Sequence, residues 1–397
     1  MKRLFFSVGE PSGDLHAANL IRSLQTSALS QFGVQAPEIR GFGGPQMRSA
    51  GCALDFELTN LAVVGFAEVL PKLREFFDVA DVASEIFRRD RPDGVVLIDF
   101  PGFNWHIAKR AKRAGVPVFY YLPPQLWAWG GWRIRKMRKY VDHVLCNLPF
   151  EPAWYAQRGM EVEYVGHPFF DEVAQRQLDT KFIAHWQSWD GPQVVVLPGS
   201  RSREVKSIWP MQLAAIRELS RRHPKARFLV ACYQDRHCLS CQRGLTASDA
   251  NLNLEFFFGR TSELIELADC ALMKSGSVSL EMMARNTPAV VVYHASRSLY
   301  AIGKCLVNLN SMTLPNMMAG KTIMPEFLAV GGSAKATGQA IAALDLLLSD
   351  PDCRRAQRAE LEQLSTRFAK PGASQRAASL ILSELGAKSQ DKKILAA

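Results

Sequence analysis

Four stretches of this chain place reactive or anion-binding side chains directly after apolar, strand-like text. Asp99 closes GVVLID and is followed by FPGFN. A carboxylate that ends a buried strand is costly unless it is paired or put to use, so Asp99 reads either as a general base or as a loop cap. GEPSGD, residues 9–14, lies between a strand and a helix. Its glycines let the backbone approach a ligand, and the free amides of a helix start suit an anion. A helix cap by Asp14 explains part of this loop, and the spacing matches neither GxGxxG nor the P-loop. LPGSRSREV, residues 197–205, sets Ser200 and Arg201 at a strand end, where a guanidinium can meet a phosphate or only a surface carboxylate. In KSGSVSLE, residues 274–281, Ser275, Gly276 and Ser277 open a helix whose amides can hold a diphosphate. Glu281 lies one or two turns further, where its carboxylate can accept two ribose hydroxyls.

These stretches need a frame, and the hydrophobic pattern supplies one. Strand-like runs at 4–8, 94–99, 117–122, 143–148 and 161–166 alternate with helical text, first from Asp14 to about Thr26 and later around 106–114. After a polar, irregular passage the pattern restarts with runs at 193–201, 227–232, 253–259, 270–276 and 289–294. Such alternation predicts parallel sheets. The expected fold is α/β of the GT-B kind: two Rossmann-like parallel-sheet domains facing a central cleft. The first domain spans 1–168, a linker 169–192, the second domain 193–365, and a C-terminal helix and tail 366–397. Ligands of open parallel sheets collect at the carboxyl ends of the strands, so all four constellations fall at the cleft. Their combined chemistry is that of an inverting glycosyltransferase. Helix amides and Arg201 stabilise a leaving diphosphate, so neither metal nor cofactor is required, and a base deprotonates the acceptor hydroxyl.

Composition narrows the partners. The chain has 397 residues, a formal charge of +10, 48% hydrophobic and 22% charged residues, which suits a two-domain globular protein with an anionic partner. No run of about 18 uncharged apolar residues exists to span a bilayer, and MKRLFF is cut short as a secretory signal by GEPSGD. Eight scattered cysteines indicate reduced, cytosolic usage. The single CxxC, Cys238 and Cys241 beside His237, reads mainly as local packing. Trp127, Trp129 and Trp132 stand beside Arg133, Arg135, Lys136, Arg138 and Lys139, which is either a dense core helix with a cationic face or a wall for an apolar, anionic ligand. Val63, Phe66, Val69, Leu70, Leu73, Phe76 and Phe77 recur at helical spacing, a pattern that core packing also produces.

GEPSGD, GFGGPQMRSAGC, LAVVGFAEVLPKL, DFPGFN, LWAW, VDHVLCNLPFEPAWY, VGHP, LPGSRSREV, SGSVSLE and LPNMMAG, in this order from Gly9 to about Glu326, resemble the lipid-A-disaccharide synthase family. The resemblance implies an enzyme of lipid A and lipopolysaccharide synthesis that joins UDP-2,3-diacylglucosamine to 2,3-diacylglucosamine 1-phosphate (lipid X). It would form the β-1,6 disaccharide and release UDP, at the cytosolic face of the inner membrane as a peripheral protein. By position, the family's essential aspartate falls on Asp99. Its nucleotide-contacting arginine falls on Arg201, its helix glutamate on Glu281 and the asparagine of its LPN motif on Asn316, and Gly13, Ser200, Ser275 and Gly276 are expected to bind the donor with them. The acceptor and membrane side is implied for Phe66, Val69, Leu70, Leu73, Phe76, Trp127 and Trp129, against acyl chains and an anionic surface. A homodimer is compatible with this reading. The chain departs from the family at Pro123–Gln125, where Ser-Pro-Ser is usual, at Gly130, Gly131 and Trp132, and at Lys274.

Two rival readings stand beside it. The charge and the RIRKMRK run motivate a nucleic-acid-binding α/β protein, but no nucleic-acid module is recognisable and none is expected as a partner. A related GT-B enzyme, such as a peptidoglycan GlcNAc transferase or a UDP-GlcNAc 2-epimerase, is the other. The first would carry a glycine-rich amino-terminal loop, and the second has no need of the 63–77 apolar stretch.

Overall fold

The computed structural model describes residues 1–62, 69–306 and 311–394, with side chains described outside 62–73, 299, 302, 305–310 and 387–397. The strands β1 (Arg3–Val8), β2 (Glu38–Phe42), β3 (Ala53–Phe56), β4 (Gly94–Ile98), β5 (Val118–Tyr121), β6 (His143–Cys146) and β7 (Glu163–Tyr164) form one parallel sheet in the order β3-β2-β1-β4-β5-β6-β7. A second parallel sheet contains β8 (Gln193–Leu197), β9 (Arg227–Cys232), β10 (Leu254–Phe258), β11 (Cys270–Lys274), β12 (Ala289–Ala295) and β13 (Glu326–Val330). Its order is β10-β9-β8-β11-β12-β13. Each sheet thus reverses direction beside its first strand, between β1 and β4 and between β8 and β11. Those reversals are the places where open α/β sheets bind ligands. Both sheets are Rossmann-like, as the alternation predicts.

The central strands β4, β5 and β8 are buried along their whole length, so they read as unbroken apolar runs. By contrast β2 (EIRGF), β3 (ALDF) and β13 (EFLAV) are interrupted by charges and partly exposed, and the pattern does not single them out. The cysteines of the CxxC are buried on the helix Asp235–Gln242 beside Cys232, and burial pushes the Cys238 thiol up to about 12.

The chain forms two units, Met1–Asp171 with Pro371–Ala397, and Glu172–Lys370. The expected linker 169–192 contains the helices Phe169–Gln175 and Thr180–Gln187, and the chain passes between units inside the first of them. The end of the chain, expected as a separate helix and tail, returns to the first unit from Pro371 onward. Two contacts explain the return. The helix Ala373–Ile394 buries Ala377, Ala378, Ile381, Leu382 and Leu385 in the cluster that holds Ala17, Leu20, Ile21 and Leu24 of the helix Pro11–Ser30. Each large aliphatic side chain so buried contributes about 1.5–3 kcal/mol. Its amino end is capped by Asp171, which accepts from the amides of Gly372 (2.5 Å), Ala373 (3.1 Å) and Ser374 (2.9 Å).

Candidate active site

In the first unit Val8 pairs with Ile98, so the chain leaves β1 and β4 side by side. Asp99 is the first residue beyond β4. Its φ is 46° and that of Phe100 is 45°, a region that residues with a Cβ avoid at a cost of about 1–3 kcal/mol each. Asn104, buried on the helix Pro101–Arg113, holds this backbone in place. Its Nδ2 donates to the carbonyls of Asp99 (2.7 Å), Ile98 (3.2 Å) and Ser7 (3.2 Å), and its Oδ1 accepts from the Ser7 hydroxyl (2.7 Å). The Tyr120 hydroxyl donates to the same Asp99 carbonyl at 2.9 Å. Gly9 has no freedom to change, because a Cβ there would lie 2.2 Å from the Phe100 ring. Burial pushes the Asp99 carboxyl above its ordinary range, against the Phe100 amide and the charge of His16. A carboxylate so raised is a stronger proton acceptor.

Asp99 lines a cavity of about 720 Å³ lying wholly in this unit. Gly13, Phe76 and Trp129 line it too, as do Phe77, Phe100 and Phe103. The rings of Phe76 and Phe100 lie 6.0 Å apart, and those of Phe76 and Phe103 5.8 Å. His167 also faces the cavity, and burial drives its imidazolium down to about 3, so the ring is neutral. Asp99, Phe100 and Leu122, three residues with Cβ at positive φ, all stand on this wall.

Gly13, expected to bind the donor, lines the same cavity as Asp99 in the first unit. Trp127 is not part of the cavity wall. Its indole N–H donates to buried Glu151 at 3.0 Å, and Glu151 also accepts from the amides of Asn147 and Leu148. Val69, Leu70 and Leu73 start the helix Val69–Arg89, but their side chains are not described, and Val63 and Phe66 lie outside the described residues. Asp14 does not cap its own helix. It accepts from the amides of Gly44 (3.0 Å), Gln46 (2.9 Å) and Met47 (3.1 Å), and so caps the helix Pro45–Ser49.

The second unit repeats the geometry with other chemistry. Leu197 pairs with Met273, so the turns carrying Ser200–Arg201 and Ser275–Gly276 emerge next to each other. Glu204, on the helix Ser202–Arg222, joins them. It accepts from Lys274 Nζ at 3.0 Å and from the Arg201 guanidinium at 3.4 Å. Burial works to raise the Glu204 carboxyl, but Lys274 and Arg201 outweigh it and hold it below the usual range. Lys274, a departure from the family pattern, is thereby paired. Ser275 donates to the Met312 carbonyl at 2.7 Å, and Glu326 accepts from the amides of Met312 (2.6 Å) and Thr313 (2.8 Å). Asn316 completes this frame from within. Its Nδ2 donates to Met324 O and Glu326 Oε1, and its Oδ1 accepts from the amides of Ile323 and Met324. Glu281 is buried and accepts from Arg285 at 3.1 Å. The sequence reading missed Asn104, Glu204 and Glu326. The first two stand inside the quoted motifs DFPGFN and LPGSRSREV, while nothing local marks Glu326.

A family model described as lipid-A-disaccharide synthetase matches residues 4–382. The chain belongs to the lipid-A-disaccharide synthase family. It is 34% identical over 384 residues to the lipid-A-disaccharide synthase of Anaeromyxobacter dehalogenans (strain 2CP-1), covering 96% of this chain and 97% of that one. It is 35% identical over 392 residues to that of Trichlorobacter lovleyi, with coverage of 96% and 97%. The protein is therefore a glycosyltransferase of lipid A disaccharide synthesis. The fold has solved counterparts at low identity. The UDP-GlcNAc 2-epimerase of Neisseria meningitidis bound to UDP-GlcNAc aligns with TM-score 0.63 at 13% identity, over 96% of this chain and 100% of that one. A calicheamicin glycosyltransferase aligns with TM-score 0.59 at 15% identity, over 97% and 98%. These likenesses establish the GT-B fold and nothing about substrates. Among the described residues no helix is long and apolar enough to cross a membrane.

Proposed function

We propose that the protein transfers the 2,3-diacylglucosamine residue of UDP-2,3-diacylglucosamine to the 6-hydroxyl of 2,3-diacylglucosamine 1-phosphate. The product is the β-1,6 disaccharide 1-phosphate, formed with inversion, and UDP. Asp99 acts as general base: its carboxylate takes the hydroxyl proton as that oxygen attacks the donor's anomeric carbon. The bond from the anomeric carbon to the diphosphate breaks, and the electron pair leaves with UDP. Arg201 and the amides around Ser275–Gly276 meet the charge that builds on the diphosphate, with Glu281 beside the ribose. The acyl chains of the acceptor lie along the aromatic wall of Phe76, Phe77 and Trp129, and the protein works from the inner face of the inner membrane.

The observation that carries this reading is the raised, rigidly held Asp99 carboxyl in an aromatic cavity at the first switch point. Purified protein incubated with both lipids should yield disaccharide and UDP in equal amounts, in the presence of EDTA as well. Release of UDP without disaccharide would overturn it.

A further inference from the structure

The cavity around Asp99 holds two carboxylates, Glu10 and Asp99, and three imidazoles, His16, His106 and His167. Burial keeps His167 neutral, and burial together with Arg110, Lys136 and Lys109 lowers the His106 pKa. Arg133 is the one arginine or lysine among the described lining residues, and hence its permanent cation. It is held by stacking. Its guanidinium carbon lies 4.2 Å from the ring centre of Trp129 and 5.4 Å from that of Trp132. Those indoles are 46% and 67% exposed. Gly130, at φ 72°, lets the side chain fold back, since a Cβ there would meet Arg133 Nε at 3.2 Å. Arg110 and Arg217 hold carboxylates, Asp81 and Asp249, while Arg227 also stacks on two indoles, Trp186 and Trp189, but does not line this cavity. Among the described residues, Arg133 forms no ion pair.

Stacking engages the faces of a guanidinium and leaves its N–H edge free. A planar fork of donors with a free edge is a receptor for an oxyanion with two oxygens to offer. The exposed indoles give apolar surface to the rest of the ligand. We propose that Arg133 is the anion receptor of this cavity. It takes the phosphate monoester of a phosphorylated amphiphile and so selects for a phosphorylated acceptor. The inference rests on the cavity being the acceptor site, and it adds the residue that reads the acceptor's phosphate. The Gly130-Gly131-Trp132 segment, where this chain departs from its family, builds the shelf.

The test compares a phosphate with an uncharged head on the same tail. Intact protein, Arg133→Ala and Arg133→Lys are titrated with octyl phosphate and octyl glucoside by calorimetry. The unchanged protein should prefer the phosphate by roughly 10- to 100-fold. Arg133→Ala should abolish that preference, and Arg133→Lys should keep only part of it because an ammonium lacks the fork. An Arg133→Ala protein that folds normally and keeps the full preference overturns the proposal. So does loss of binding to phosphatidylglycerol vesicles with octyl phosphate binding intact, which would make Arg133 a membrane headgroup contact. A second arm measures kcat/KM with the lipid acceptor bearing or lacking its 1-phosphate. The phosphate should matter roughly 10- to 100-fold in the unchanged protein and within about threefold in Arg133→Ala. If neither lipid is turned over while the octyl phosphate preference still depends on Arg133, the receptor stands and the acceptor reading falls.

Discussion

At the first switch point a carboxylate is held in a left-handed loop among aromatic rings, its backbone tied by Asn104 and Tyr120 and its pKa raised by burial. At the second, a lysine and an arginine converge on Glu204, whose pKa they lower, inside a frame knitted by Asn316 and Glu326. The six strands of the second sheet follow the same order as the first six of the first, so sheet topology does not account for the difference. The side chains at equivalent strand ends do. One site raises a carboxyl's pKa by burying it, and the other keeps cations ordered by giving them a carboxylate. That division suits a reaction that removes a proton at one end and stabilises an anion at the other.

Substitutions that act on one site alone test the division. The largest effect is expected from Asp99→Asn, which preserves shape and removes basicity. Disaccharide formation should fall by roughly two to four orders of magnitude, while calorimetric UDP affinity stays unchanged. Near-native turnover at saturating substrate would remove Asp99 from the mechanism. The pH profile follows from the same group. The base must be unprotonated to work, so kcat/KM rises with pH through the Asp99 pKa. Since burial raises that pKa, the acid limb should lie above the ordinary carboxylate value of about 3.9. A limb at or below that value would show that the ionising group is not a buried carboxyl.

Asn316 sharpens the contrast from the other side. All its amide groups are engaged inside the second unit, so Asn316→Ala strands several buried partners and should cost about 3 kcal/mol of stability. Calorimetric unfolding measures this. Unaltered stability with lost UDP affinity would instead make Asn316 a direct ligand contact. Arg201→Ala should do the reverse: its side chain is largely exposed, so folding persists, while UDP affinity drops roughly 10-fold or more. Unchanged affinity in both Arg201→Ala and Glu281→Ala would move the nucleotide away from the second switch point.

What the sequence made legible follows the same lines. Strands buried on both faces appear as apolar runs, so both sheet centres and the motifs at their ends could be located, Asp99 and Arg201 among them. Charged residues interrupt β2, β3 and β13, and no period marks them. The partners of Asp14 stand some 30 residues away at Gly44–Met47, and the C-terminal helix docks on the first helix of the chain. Contacts between distant segments leave no local signature, which is why Asp14 reads as a cap of its own helix and 366–397 as a separate piece. Asn104 and Glu204 sit within visible motifs, yet only three-dimensional structure tells a positioning group from a ligand contact.

The smallest expected effect concerns the surface around the first cavity. Phe77 and Val82, on the helix Val69–Arg89, are each 47% exposed. Phe76 on the same helix packs toward the cavity against Phe100 and Phe103. A helix with one face in this cavity and apolar side chains left on the surface is suited to the boundary of a bilayer, with nearby arginines and lysines meeting anionic headgroups. The protein should therefore bind anionic liposomes reversibly, and less so as salt is raised. Phe77→Glu with Val82→Glu should weaken that binding by about 10-fold, since each charge opposes insertion and repels the surface. Both side chains are half in water already, so the double variant should fold and bind UDP normally. Liposome binding that is indifferent to the double substitution would move the membrane contact elsewhere. A variant that fails to fold would show instead that this face of the helix belongs to the core.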